Sequence, residues 1–228
     1  MATSYSVTHH GQVPSTQDLA RDAYNGRPVL VTATEQTAGR GRSGSTWLSA
    51  PRSIAVSLAF RPGWAPSDLT IVPLLGGLAA TEAMGDVELK WPNDVLRDGD
   101  KVAGLLAELF DGIVVIGMGI NLWWPDAPPG ATALFDRDPG GDEGRRLAER
   151  WADEVMSLVD GGPGSWPIDR YRARCVTLGT HITWDPDGAG LAVDVARDGS
   201  LVVDTVTGRI NLTTAGVRHV RPQRPNAT

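Results

Sequence analysis

Hydrophobic positions fall into three kinds of pattern along this chain, and each predicts a different element. Ser15-Thr16-Gln17 puts a capping oxygen ahead of Leu19, Ala20 and Ala23, and Asn25-Gly26 follows; this reads as a short, N-capped helix. Pro28 to Ala33 (PVLVTA) is a β-branched run without alternation, the mark of a buried strand. Ser53 to Phe60 alternates strictly, with Ile54, Val56, Leu58 and Phe60 on one face, and predicts a strand. Ser67 to Met84 reads as a helix that stops at Gly85, its first turns limited by Pro73.

From Val87 the pattern turns to β. Val87–Lys90 is a strand, Trp91-Pro92-Asn93-Asp94 a turn, and Val95-Leu96 resumes the strand. Arg97-Asp98-Gly99-Asp100 signals a hairpin into a long strand, Lys101 to Phe110, and Asp111-Gly112 turns the chain into Ile113–Met118. Glu143 to Val159 carries Leu147, Trp151, Val155 and Leu158 at helical spacing, and a further helix runs from Pro167 to about Arg174. After Cys175 only short alternating segments remain: His181–Trp184, Leu191–Val195, Leu201–Asp204, Arg209–Thr213 and Val217–Val220, which suit a small barrel. The plan is α+β, with a mixed-sheet domain over residues 1–175 and a small C-terminal β-barrel domain over 176–228.

Composition narrows the possibilities. A hydrophobic fraction of 41% with 21% charged residues describes an ordinary soluble globular protein rather than a disordered one. The net charge of -6 argues against general nucleic-acid binding and makes any cationic cluster a local feature. One cysteine, Cys175, allows no internal disulfide, and no Cys/His group has zinc spacing. Met1 to Gln12 is polar and unlike a secretory signal, and no apolar run approaches the roughly 18 residues of a membrane helix. A cytoplasmic location is the default expectation.

Four runs could carry chemistry. Thr34 to Trp47 (TEQTAGRGRSGSTW) combines glycines that let backbone approach a ligand with Arg40 and Arg42, which suit phosphate or carboxylate oxygens. It matches neither the phosphate-loop signature nor a dinucleotide fingerprint, and a solvated hairpin loop fits the spacing equally. Leu89 to Leu96 (LKWPNDVL) can bring Lys90, Asn93 and Asp94 to one rim around a rigid proline turn, or can be a capped turn with a local ion pair. Asp100 to Leu109 (DKVAGLLAEL) places Lys101 at the start of an apolar strand and Gly104 within it, where glycine often marks a ligand's approach. Val114 to Asn121 (VVIGMGIN) has Gly117 and Gly119 interrupting a buried strand, either beside a ligand or in a β-bulge, and Asn121 could offer its amide to a heterocycle. The four histidines form no triad pattern, and among eight tryptophans Trp47, Trp123 and Trp124 are best placed to face a ring system.

Taken in order, PSTQ, QTAGRGRSG, LKWPND, KVAGLLAEL and GMGIN closely resemble the biotin protein ligases, over nearly the whole chain. The resemblance implies a catalytic domain of the biotin/lipoate ligase type with an SH3-like C-terminal barrel. It also implies ATP-dependent formation of biotinoyl-5′-AMP and transfer of biotin to a lysine on a carrier domain. By position, Lys101 and Arg40 would be catalytic. Ser15, Thr16, Gln36, Gly39, Arg40, Lys101, Gly104 and Gly117 would contact biotin. Arg40, Arg42, Trp47, Lys90, Asn93, Asp94, Lys101 and Asn121 would contact ATP or the adenylate, with Asp94 near a Mg²⁺ ion.

The substrates implied are biotin and ATP with Mg²⁺, and the partner is the biotin carboxyl carrier domain of acyl-CoA or pyruvate carboxylases. Only fourteen residues precede Ser15, too few for the DNA-binding domain of bifunctional relatives, so a ligase without DNA or membrane partners is expected, as monomer or homodimer. Ser43 stands where an arginine often follows G-R-G-R. A lipoate ligase sharing the fold and a non-catalytic biotin sensor are the competing readings.

Overall fold

A computed structural model gives the structure of residues 5–42 and 47–213, and the backbone of 220–222. Its main feature is a sheet of seven strands in the order β1-β2-β3-β7-β6-β5-β4. The strands are β1 (Ser6–Val13), β2 (Val29–Gln36), β3 (Arg52–Phe60), β4 (Glu88–Lys90), β5 (Asp94–Arg97), β6 (Asp100–Phe110) and β7 (Ile113–Trp123). Only β1 and β2 pair in parallel; the crossover between them is α1 (Thr16–Ala23).

Alternation along the two central strands decides what each face does. Ile54, Val56, Leu58 and Phe60 of β3 join Val114, Ile116, Met118 and Ile120 of β7 in the main core. That face is covered by α2 (Val72–Met84) and α3 (Glu143–Asp160). Helix α2 is buried almost all round, and a side chain at Gly76 would run into Ile116 and Leu105. The indole of Trp151 on α3 donates to the Gly76 carbonyl at 2.9 Å, tying the two helices together. On the opposite face α1 covers one end, with Ala20 against Val29, Val31, Ala59 and Val115. The rest of that face is built from small residues, with Ser57 opposite Gly117, Ala55 opposite Gly119, and Gly119 opposite Gly104.

Several expectations change in detail. Strand β1 lies in the polar N-terminal stretch that carries no apolar pattern. It is an edge strand of largely exposed residues from Val7 to Gln12, set by backbone pairing to β2 and by side-chain bonds such as His9 to Thr32 at 2.6 Å. Strand β7 runs on to Trp123, and its ladder to β6 passes Gly117 and Gly119 without a register shift. These glycines therefore neither end the strand nor form a bulge. The ladders of this sheet shift register elsewhere, between β5 and β6 at Val95/Leu96 and between β3 and β7 at Arg52/Ser53.

After α4 (Ile168–Arg174) come β8 (His181–Trp184), β9 (Gly188–Val195), β10 (Leu201–Thr205), β11 (Gly208–Leu212) and β12 (Val220–Pro222). They form an antiparallel sheet in the order β11-β10-β9-β8-β12. The expected strand Val217–Val220 falls almost wholly outside the described residues. This second small antiparallel sheet of five strands is consistent with the small SH3-like C-terminal domain expected; among the described residues no ladder joins β11 to β12. Ile182, Ala192, Val195, Leu201 and Val203 share one continuous core with Trp91 and Tyr171. No helix among the described residues is long and apolar enough to cross a membrane.

Trp91 is the joint between the two sheets. It is fully buried, its N–H donates to Thr177 Oγ1 at 2.9 Å, and its indole donates to the Gly199 carbonyl at 3.0 Å. Trp91→Phe keeps most of the buried area but leaves that carbonyl unpaired. The unfolding free energy should fall by about 1–3 kcal/mol, read from urea unfolding of the variant against the parent.

Candidate ligand-binding site

The small-residue face of the sheet is the floor of a cavity of about 260 Å³. Gly104, Gly117, Gly119, Ala55 and Ser57 line it. Around them stand the start of α1, the end of β2, the turn at 91–94, and Arg40, Gly41, Arg42 and Trp47 of the glycine–arginine segment.

One end is uncharged and closely hydrogen-bonded. Ser15 caps α1, its Oγ accepting from the Asp18 N–H, which leaves Thr16 at the first helical position beside the sheet. Gln36, on the last residue of β2, accepts at Oε1 from the Thr16 backbone N–H at 2.8 Å and from its hydroxyl at 3.0 Å. The Thr16 hydroxyl also lies 2.8 Å from Ser57 Oγ. Gly39 leaves room for the Gln36 amide nitrogen, which a Cβ there would approach to 3.1 Å.

The other end is cationic. Strict alternation from Gly104, Leu106 and Glu108 would turn Val102 toward the cavity and Lys101 toward the core. The bulge opposite Val95/Leu96 reverses this: Val102 is fully buried in the core and Lys101 lines the cavity. The Lys101 backbone is held on its far side as well, donating to Gly130 O at 3.1 Å and accepting from Thr132 N at 2.9 Å. Its ammonium meets Asp94 Oδ1 at 2.5 Å, while Lys90 approaches the same carboxylate at 3.8 Å. Asn93 is clamped to β6, donating from Nδ2 to Leu105 O at 2.9 Å, and it accepts at Oδ1 from Arg42 at 3.2 Å. Partial burial draws the Arg42 guanidinium below its usual pKa, and the Asp94 charge opposes that.

Two described parts of the glycine–arginine segment, Trp47 and Arg40, meet this floor and its edge. Trp47 covers Gly104 and Gly119, where added Cβ atoms would come within 2.9 and 2.6 Å of its ring, and Lys101 Nζ lies 5.4 Å from the ring centroid. Arg40 reaches back to α1 with a two-pronged contact to Asp18, 2.8 and 3.0 Å, and meets Glu108 of β6 at 3.3 Å. The hydrogen bonds to Asp18 raise the Arg40 pKa further, and the same contact holds the Asp18 carboxyl below its ordinary value.

Of the residues singled out from sequence, Ser15, Thr16, Gln36, Arg40, Arg42, Trp47, Lys90, Asn93, Asp94, Lys101, Gly104 and Gly117 all line the cavity. Gly39 stands behind Gln36. Asn121 is placed differently from the ring-flanking position expected of it. It is 2% exposed, and its amide ties the Ala50 N–H at 3.3 Å to the Thr132 carbonyl at 3.1 Å, so it holds two backbone segments beside the cavity. Trp123 and Trp124 are not among the lining residues.

Sequence reasoning missed Gln17, Ser57, Asp18 and Glu108. The alternate positions of β3, Ser53, Ala55 and Ser57, are all small, and that was the available signal for the floor. Nothing local distinguished Asp18 or Glu108 from solvated acids.

A carboxylate whose folded pKa is depressed contributes stability above its unfolded value, and loses it as pH falls through the folded one. The Arg40–Asp18 contact should therefore be intact from neutral pH down to about 4, where unperturbed aspartates titrate, and should break only below that. Carboxyl NMR of Asp18 should show the low titration in the parent and a return to the ordinary range in Arg40→Ala.

Comparison with known proteins agrees with this geometry. Residues 10–121 match the model of the biotin/lipoate A/B protein ligase family. A biotin–[acetyl-CoA-carboxylase] ligase from Mycobacterium tuberculosis is 33% identical over 219 residues, covering 85% of this chain and 79% of its own. A ligase of the same name from Paracoccus denitrificans is 38% identical over 209 residues, covering 78% and 85%. The Aquifex aeolicus biotin protein ligase, solved with biotin and ATP, has the same fold, with a TM-score of 0.83 at 23% identity over 96% of this chain and 99% of that one. With a cavity that grades from neutral hydrogen-bonding groups to cations on this fold, the chain belongs to the biotin protein ligase family.

Proposed function

We propose that this chain joins biotin to ATP as biotinoyl-5′-AMP and then passes the biotinoyl group to a lysine on the carrier domain of a biotin-dependent carboxylase. The observation that carries this reading is the grading of one cavity. Neutral donors and acceptors at Thr16, Gln36 and Ser57 suit a polar uncharged ring, and a floor of small residues around Gly117 leaves room for a flat bicycle. Lys101, Lys90 and Arg42 at the far end suit a carboxylate meeting a phosphate.

In the first step a carboxylate oxygen of biotin attacks the α-phosphorus of ATP, and the bond to the pyrophosphate oxygen breaks. Two anions must approach, so the protein's main contribution is to hold positive charge where they meet. Lys101 is committed to that place by the bulge and by backbone bonds on both sides. Asp94 fixes the direction of its ammonium. Trp47 lies over the floor and offers a flat surface to a base, while closing the cavity to water that would hydrolyse the anhydride. In the second step a carrier lysine amine attacks the mixed anhydride carbonyl and AMP leaves, which needs no protein nucleophile.

A magnesium ion fits this site as a passenger of the phosphates. The described residues hold no group of three His, Cys, Asp or Glu side chains able to bind a metal. Asp94 would thus be its one carboxylate, and phosphate oxygens would complete the shell. When bound, the ion neutralises phosphate charge. We also assign residues 1–175 to catalysis and 176–228 to a C-terminal domain, with the carrier domains of acyl-CoA or pyruvate carboxylases as acceptors and the cytoplasm as the location.

Pyrophosphate release by the purified chain should require biotin together with MgATP. Release driven by lipoate and not by biotin would overturn the substrate assignment. Lys101→Ala should slow biotin-dependent release by about two to three orders of magnitude while thermal unfolding stays close to the parent; release at the parental rate would remove Lys101 from the chemistry.

A further inference from the structure

Gln17 is 6% exposed and sits beside Thr16 at the neutral end of the cavity. Its Nε2 faces three acceptors: Glu108 Oε2 at 3.1 Å, Leu106 O at 3.3 Å and Val115 O at 3.4 Å. Turning the amide over would set Oε1 against those three oxygens, so its orientation is decided. Oε1 then lies over Gly117, 2.8 Å from where a Cβ would stand, on the floor of the cavity. It has no hydrogen-bond partner among the described residues. A buried carbonyl oxygen without a donor is costly, and neighbouring Ser57 and Thr16 satisfy each other instead.

We propose that Gln17 determines specificity, its Oε1 accepting a hydrogen bond from a ring N–H of the bound acid, and that Glu108 is the positioning residue that holds the amide in this orientation. The inference rests on the reading of the cavity as a biotin site. Biotin's ureido ring carries two N–H groups, while lipoate's dithiolane ring carries none. An acid without the donor leaves Oε1 buried and unpaired, and sites built to pair a polar substrate group reject analogues that lack it far more strongly than they reject a misfit of size. Glu108 also touches Arg40. Arg40 keeps its two contacts to Asp18 when Glu108 is altered, so the two roles of Glu108 can be separated.

The test is calorimetry on the full chain without ATP, using biotin, biotin methylated at either ureido nitrogen, and lipoate. Gln17→Met keeps the length of the side chain and removes the acceptor. It should weaken biotin at least tenfold and leave lipoate unchanged or tighter. At one of the two nitrogens, methylation should cost at least tenfold less in Gln17→Met than in the parent. Glu108→Gln frees the amide to turn and should weaken biotin less, and the double variant should lie within threefold of Gln17→Met.

Equal losses for biotin and lipoate would reduce Gln17 to a structural role and overturn the inference, as would methylation costs identical in parent and variant. Fully additive losses would remove Glu108 from it. A parent that binds biotin, with Gln17→Met binding it equally well, overturns the inference and leaves the proposed function standing; a parent that binds no biotin overturns both.

Discussion

Everything at this site depends on one sheet being bulky on one face and nearly bare on the other. Strands β3 and β7 send Ile, Val, Leu, Met and Phe into the helix-covered core, and the intervening positions over the cavity floor, Ala55, Ser57, Gly117 and Gly119, are all small. Side-chain period two makes this division strict, because no residue can serve both faces. The stability of the centre is therefore carried by one face, under α2 and α3. The other can be left open enough to hold a ligand, and Trp47 rests on it directly.

Charge is managed by pairing it in advance. Arg40 is held by Asp18 and Glu108, and Lys101 by Asp94, with Lys90 close by. Cations gathered to meet phosphate would otherwise repel one another in a partly desolvated cavity. The carboxylates offset that repulsion and keep the cations in place. Each pair is a charge-assisted hydrogen bond, so the cations are held in place without a bound anion. This pairing also explains why an acidic chain, at -6, carries a locally balanced site.

Much of this was legible in advance. Helices α1, α2 and α3 and strands β2, β3 and β6 follow from apolar period and from the capping or turn residues that bound them. Twelve site residues named from sequence motifs line the cavity, because the motifs place them on strand ends and turns where side chains are free of the core. Strand β1 was not legible, since an edge strand of exposed residues is made by its neighbour's hydrogen bonds. The two backbone contacts of Asn121 were not legible, because an amide looks the same in sequence whether it faces a ligand or ties backbone segments.

The sequence by itself determined most elements after β1, the glycines of the floor and the identity of the cationic groups, since those depend on local period and on residue chemistry. Tertiary structure alone decided where those groups point. The bulge against β5 rotates Lys101 out of the core and into the cavity, a reversal that the residue spacing within β6 contradicts. Contacts from α1 and β6 select Asp18 and Glu108 as the partners of Arg40, and three carbonyl or carboxylate oxygens set the Gln17 amide. The Arg40 and Gln17 contacts join groups from 22 to 98 positions apart in the chain, so no local pattern could carry them.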